Sequence, residues 1–163
     1  MKKWMSLILL FFLMSSCTED VKFNNPAFQT LKDNVFWRAQ TYKAYLDGDG
    51  KIIVEGYLGY EVVKLQTESS TQKTYILGID NISKAFYSNG NQSEPAEFST
   101  GTNTGNGQIV ITDYNIENGT ISGTFKFNAV NVDETNTENA KVSFTEGVFY
   151  KVPVEFNNIA HQL

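Results

Sequence analysis

Residues 119–132 read GTISGTFKFNAVNV. Ile121, Gly123, Phe125, Phe127 and Ala129 alternate with Ser122, Thr124, Lys126 and Asn128, and a period of two sends these sets to opposite faces of a strand. The Phe face is the one expected to be buried and the Lys126 face the one expected to be wet. Just upstream, GQIVITDY at 107–114 runs apolar through Ile109, Val110 and Ile111, and the intervening NIENGT carries Asn118-Gly119, a strong short hairpin signal. Downstream, the charged DETNTENA at 133–140 reads as a surface loop and KVSFTEGVFYKVPVEF at 141–156 as a long closing strand. Val142 and Phe144 share a phase that Phe149 breaks, so Gly147 is expected to mark a bulge.

The rest of the chain has the same texture. Val, Ile, Thr, Tyr and Phe suit a pleated, half-buried surface, while Asn and Gly supply turns. AFQTL at 27–31, then KDN, then VFWRAQTYKAYL at 35–46 read as strand, turn and long strand, and DGDG at 47–50 leads into KIIVEGYLGY as a hairpin. VVKLQT and KTYILGI flank ESSTQ, a second turn signal, and KAFYS precedes the polar run NGNQSEP. The expectation is an all-β fold, an antiparallel β-sandwich or flattened β-barrel of about eight to ten strands.

The amino-terminal segment differs. In LILLFFLMSSCTED, residues 7–20, an apolar run follows Lys2 and Lys3 and ends in Ser15 and Ser16. As a helix, the run from Trp4 to Met14 would rise about 16 Å, against the roughly 30 Å of hydrocarbon that a spanning helix crosses. Basic, apolar and small-residue zones in that order are the pattern of an export signal. The small residues directly before Cys17 resemble the lipobox of bacterial lipoproteins, with Met14 in place of the usual Leu. That resemblance implies lipidation of Cys17, which then becomes the first residue of the mature chain. A single Cys forms no intramolecular disulfide, which agrees with an anchoring role. The expected organisation is a signal peptide at 1–16, a lipidated terminus and tether at 17–25, and one β domain at 26–163.

The formal charge of −5 becomes −7 once Lys2 and Lys3 leave with the signal, and Arg38 is the one arginine. Such a chain lacks the basic clusters that neutralise phosphates, so nucleic acid is not an expected partner. The pairing of ISGTFKFNA with VSFTEGVFYKV, after a lipobox signal and an early AFQTLKDNVFWRA, resembles a family of uncharacterised Bacteroidetes lipoproteins classed as a domain of unknown function. The resemblance implies location and fold, and brings no activity or catalytic residues. Glu19 and Asp20, just after Cys17, resemble the acidic signal that passes Bacteroidetes lipoproteins to the outer face of the outer membrane. A surface location is expected from that resemblance, with a periplasm-facing anchor as the alternative.

Chemistry-bearing residues are sparse. The sole histidine, His161, is two residues from the carboxyl end, where chains fray. With Cys17 assigned to lipid and no second histidine, a Ser-His-Asp or Cys-His set is not expected and zinc lacks its usual ligands. DGDG matches part of a calcium loop, but Lys51 and Leu58 stand where such a loop needs further ligands. No cofactor or metal is expected. The Asn-x-Ser/Thr matches at Asn81, Asn91 and Asn118 imply no glycan in a bacterial lipoprotein. Glu55, Glu61, Asp80 and Asp113 fall near expected strand ends without a spacing that pairs any two. Tyr42, Tyr45, Tyr57 and Tyr60 cluster along one expected hairpin, where exposed rings could meet a ligand by stacking and apolar contact. The function expected is non-catalytic binding or structural work at the envelope. The alternatives are a surface accessory protein that takes glycan or peptide through these aromatics, and a hydrolase using paired carboxylates.

Overall fold

The structure is a computed structural model that describes residues 25–155. Cys17, Glu19, Asp20 and His161 lie outside the described residues. Eleven strands follow one another: β1 (Ala27–Lys32), β2 (Val35–Arg38), β3 (Thr41–Leu46), β4 (Ile52–Leu58), β5 (Glu61–Thr67), β6 (Thr74–Leu77), β7 (Lys84–Asn89), β8 (Ala96–Ser99), β9 (Asn106–Asn115), β10 (Thr120–Asn131) and β11 (Lys141–Glu155). Among the described residues no helix is long and apolar enough to cross a membrane.

The strands form one sheet in the order β2-β1-β11-β3-β4-β5-β7-β8-β10-β9-β6, with a further pairing of β11 to β10. That pairing folds the sheet onto itself. Each of the two longest strands serves two partners along one edge: β11 meets β1 through residues 144–150 and β3 at 154–155, while β10 meets β9 through 120–128 and β8 at 130–131. The result is a flattened barrel, or sandwich, whose walls are β3-β4-β5-β7-β8 and β2-β1-β11-β10-β9-β6. Every pairing is antiparallel except that of β11 with β3.

Aromatic rings fill the space between the walls. Trp37, Phe28, Phe125, Phe127, Phe144, Tyr87 and Phe98 form a continuous chain with successive centroids 4.6 to 6.1 Å apart. Each of these side chains is at most 5 % exposed. Close wall-to-wall approach limits side-chain size opposite the rings. A Cβ on Gly56 of β4 would lie 2.7 Å from the Phe28 ring, so glycine at that position makes room for β1 to pack across the core.

The alternation in β10 is as expected from Gly123 on: Gly123, Phe125, Phe127 and Ala129 are buried with Ile121, and Thr124, Lys126 and Asn128 are exposed, whereas Ser122, expected on the wet face, is buried at the second bulge. The bulge expected at Gly147 is present. Phe125 pairs with Gly147 and Phe127 with Phe144, so three steps on β11 match two on β10, and Glu146 takes up the extra residue at φ +53°. A Cβ on Gly147 would sit 2.6 Å from the Phe125 ring. A second bulge follows that the sequence pattern does not signal. Ile121 pairs with Val152 and Gly123 with Phe149, with Lys151 at φ +48°. There the Ser122 hydroxyl accepts the Lys151 N–H at 3.0 Å. The inward set of β11 is therefore Val142, Phe144, Gly147, Phe149, Val152 and Val154.

The all-β sandwich or flattened barrel is as expected, and three details within it differ. The count is eleven strands, because β8 lies in AEFS just after a polar run that masks it, and because the stretch at 35–46 divides. It divides at Ala39 and Gln40, whose N–H groups bond Phe28 O and Tyr57 O respectively, so the chain changes walls there. The ESSTQ turn joins no hairpin: β5 pairs with β7, while β6 crosses to β9.

Phe127→Ala should lower stability by about 3–5 kcal/mol, since it empties ring volume in the middle of the aromatic chain, whereas Lys126→Ala should stay within about 0.5 kcal/mol. Thermal melts of the two variants compare them directly, and equal losses would mean that the strand phase is misassigned.

Candidate functional site

Two tight turns set the register of the β3-β4-β5 meander. In the first, the Asp47 carboxylate accepts the N–H groups of Asp49 and Lys51 at 3.0 and 2.9 Å, and Gly50 adopts φ +81°. DGDG is thus a hairpin turn whose first carboxylate is engaged by backbone. Leu46 pairs with Ile52 and Leu58 with Glu61, which brings Lys43, Glu55 and Lys64 side by side across three strands. Cross-strand neighbours on one face interact directly, so the carboxylate sits between two ammonium groups.

Glu55 is on the outer face of its wall, yet it is only 7 % exposed. The cause is the pair of tyrosines beside it. Tyr45 donates to Glu55 Oε1 at 3.0 Å and Tyr57 donates to Oε2. Lys64 Nζ is 3.2 Å from Oε1 and Lys43 Nζ 3.9 Å from Oε2, with the Lys43 ammonium also 5.5 Å from the Tyr45 ring centroid. The carboxylate draws two phenols and two lysine stems over itself, and the half-exposed rings form a fixed platform. Phe86, half-buried, pairs with Lys64 and extends the face onto β7.

The electrostatics follow from this enclosure. Burial pushes the Glu55 carboxyl pKa up, but the hydrogen bonds from Tyr57, Lys64 and Tyr45 outweigh it and hold the group below the usual carboxylate range. Burial and the Glu55 charge together push both Tyr57 and Tyr45 above the ordinary phenol value. Both tyrosines stay neutral donors at physiological pH.

The four tyrosines singled out by sequence therefore separate. Tyr45 and Tyr57 meet at Glu55. Tyr42 lies on the opposite face of β3, packs against the core and donates to Pro26 O at 2.9 Å. Tyr60 is 72 % exposed at the β4–β5 turn, where its carbonyl accepts the Gly90 N–H at 2.9 Å. The reason is the period of two: residues 42 and 45 differ by an odd number, so they face opposite ways.

The acids also separate. Glu61 points inward, on the face opposite to Glu55. Its carboxylate accepts Trp37 Nε1 at 2.8 Å, the Tyr87 hydroxyl and the Lys32 ammonium, and Lys32 donates to Tyr87 at 3.0 Å. Burial raises the Glu61 pKa, but the bonds from Lys32, Tyr87 and Trp37 outweigh it and lower the pKa overall. Asp80 accepts the Ile82 N–H at 2.8 Å and shapes a loop, and Asp113 is exposed opposite Ser122. Asn81 accepts the Thr102 N–H at 3.3 Å. Among the described residues no three His, Cys, Asp or Glu side chains are grouped to hold a metal ion.

The lysine partners were legible in principle. Turns at 47–50 and 59–60 fix Lys43 opposite Glu55 and Glu55 opposite Lys64. The Trp37–Glu61–Tyr87 set was not, because it joins three strands distant in sequence.

The chain belongs to a family described as a domain of unknown function (DUF6252), whose model matches residues 24–153. No curated protein and no solved structure matches it.

Both enclosed carboxylates make folding pH-dependent in the same direction. A Glu whose pKa falls on folding stabilises the native state above its unfolded value, about 4.3, and that contribution fades as pH drops toward the lower folded value. The parent protein should lose melting temperature progressively below about pH 4.5. Glu61→Gln should be less stable than the parent at pH 7, by about 1–3 kcal/mol, and should lose less over the same acid range. Calorimetric melts from pH 7 to 3 measure both, and parallel curves for parent and variant would refute the assigned role.

Proposed function

We propose that this DUF6252 protein is a lipid-anchored envelope protein of a Bacteroidetes cell, with a non-catalytic binding role exercised through the Tyr45–Tyr57 face. The observation that carries the reading is the pair of rings held over Glu55 between Lys43 and Lys64. Rings fixed before a ligand arrives lose little freedom on binding, which favours stacking on a glycan or an extended peptide. The flanking ammonium groups add hydrogen-bond donors at the edges. A hydrolytic reading would need two carboxylates facing one bond, whereas Glu55 and Glu61 lie on opposite faces of the sheet.

The placement of the domain supports the same reading. Cys17 carries the lipid, and residues 17–25 reach at most about 30 Å. Two or more acyl chains hold a protein stably on a bilayer. The chain enters the barrel at Ala27 of β1, so the lipid tethers one end of the barrel and leaves its walls free. Glu19 and Asp20 act as the export signal to the outer leaflet, with a periplasm-facing anchor as the alternative. The net negative charge sets nucleic acid aside as a partner.

Affinity electrophoresis of the full chain in mild detergent, through gels containing soluble polysaccharides or an immobilised peptide mixture, tests the platform. Tyr57→Ala and Tyr45→Ala should each weaken retention about tenfold, and Lys126→Ala, on the other wall, should leave it unchanged. Retention that ignores both tyrosines would dismiss the platform. In cells, Cys17→Ser should abolish labelling by a fatty-acid analogue. The double change Glu19→Ala, Asp20→Ala should protect the domain from protease added outside, and a parent protein already protected in sealed cells would place it on the periplasmic side.

A further inference from the structure

At the end of the barrel away from Ala27, three connections converge on a cleft of about 170 Å³. Asp33 comes from the β1–β2 turn, Asn89 and Glu94 from β7 and the segment before β8, and Asn139 and Lys141 from the segment entering β11; Lys32, Tyr87, Phe98 and Val142 lie at the base. The volume is several times the roughly 30 Å³ that one water occupies in the liquid. It suits a small molecule or a single end group.

The base is rigid. Tyr87 and Phe98 are 4 % and 5 % exposed, and Lys32 is fixed by the Glu61 carboxylate and the Tyr87 hydroxyl, with its ammonium 5.0 Å from the Tyr87 ring centroid. The walls are not self-satisfied. Among the described residues neither the Glu94 carboxylate nor the Lys141 ammonium has a hydrogen-bond or ion-pair partner. Asn89 uses its side-chain oxygen on the Asn91 N–H, which leaves its amide N–H groups to a ligand. Asp33, by contrast, is engaged with the Ser143 N–H at 2.9 Å.

Charge is therefore divided across the cleft. Lys141 stands on the β11 side, with Lys32 below it already paired to Glu61 and the Asp33 carboxylate turned to the Ser143 N–H, and Glu94 stands on the β7–β8 side. An anion alone would pair with Lys141 but crowd Glu94, and a cation alone would do the reverse. Like-charge juxtaposition is a strong discriminator in a half-enclosed site. We infer that this cleft is a binding site for a small zwitterion of amino-acid size, its carboxylate on Lys141 and its ammonium on Glu94, distinct from the tyrosine platform on the outer wall.

Ligand-observed NMR on the full chain in detergent micelles tests this with four probes: L-glutamine, N-acetyl-L-glutamine, L-glutaminamide and D-glucose. L-Glutamine should bind in the millimolar range, and each form lacking one charge should bind at least about tenfold more weakly. Lys141→Met and Glu94→Gln should each reduce L-glutamine binding by a similar factor, with Lys141→Arg close to the parent. Both side chains are exposed and unpartnered, so the variants should melt with the parent. Tyr57→Ala should leave L-glutamine binding unchanged, which separates this site from the platform. Equal binding of the blocked forms, preference for D-glucose, or no binding of L-glutamine at tens of millimolar would overturn the inference.

Discussion

The Glu61 carboxylate accepts bonds from both Trp37 and Tyr87, which stand far apart along the chain of core rings. Between them run Phe28, Phe125, Phe127 and Phe144, so one acid closes an aromatic chain into a circuit. The circuit includes both walls of the barrel: β1, β2, β10 and β11 on one side, β5 and β7 on the other. Stacked rings are worth modest energies pair by pair, and ring burial supplies most of the stabilisation. What the carboxylate adds is direction. It accepts an indole N–H that would otherwise be enclosed without an acceptor, takes the O–H of a phenol beside it, and fixes where each wall sits.

The same logic operates on the outer surface at Glu55. There the acid gathers tyrosines and lysines from three adjacent strands, and the outcome is a surface with defined ring positions. The two acids use similar chemistry on opposite faces of β4 and β5. One organises the interior, and the other organises the face through which the protein is proposed to bind. The residues around the end cleft behave differently, because Glu94 and Lys141 are held apart by separate connections and leave their charges uncompensated.

How much of this was legible in the sequence depends on the range of the interaction. The alternation through Phe125 and Phe127 reported the core face directly, since each residue's side is set by its immediate neighbours. The phase break at Phe149 exposed the first bulge for the same reason. The second bulge, at Lys151, left no such trace because Tyr150 and Lys151 are both long, amphipathic side chains that sit half-buried in either phase. Partner choice was harder. ESSTQ reads as a hairpin turn, yet β6 finds its neighbour in β9, some thirty residues on. The tyrosines illustrate both cases: parity separates Tyr42 from Tyr45, whereas the meeting of Tyr45 with Tyr57 depends on a register that the DGDG turn fixes. The ring circuit through Glu61 required the closed barrel and had no local signature.

The forked pairing of β11 has a mechanical consequence. If the proposed lipid tether holds the protein through its amino-terminal end, any pull enters at Pro26 and Ala27, directly ahead of β1. That strand lies antiparallel against β11 through five paired positions and against β2 through four. Tension applied along β1 loads these ladders in shear, so their hydrogen bonds bear force together and must fail together. Unzipping from one end would instead break them singly and at lower force. Phe28, wedged against Gly56 of the opposite wall, resists the sliding of β1 past the core. The first strand of the domain is thus arranged as a load-bearing splice between two neighbours.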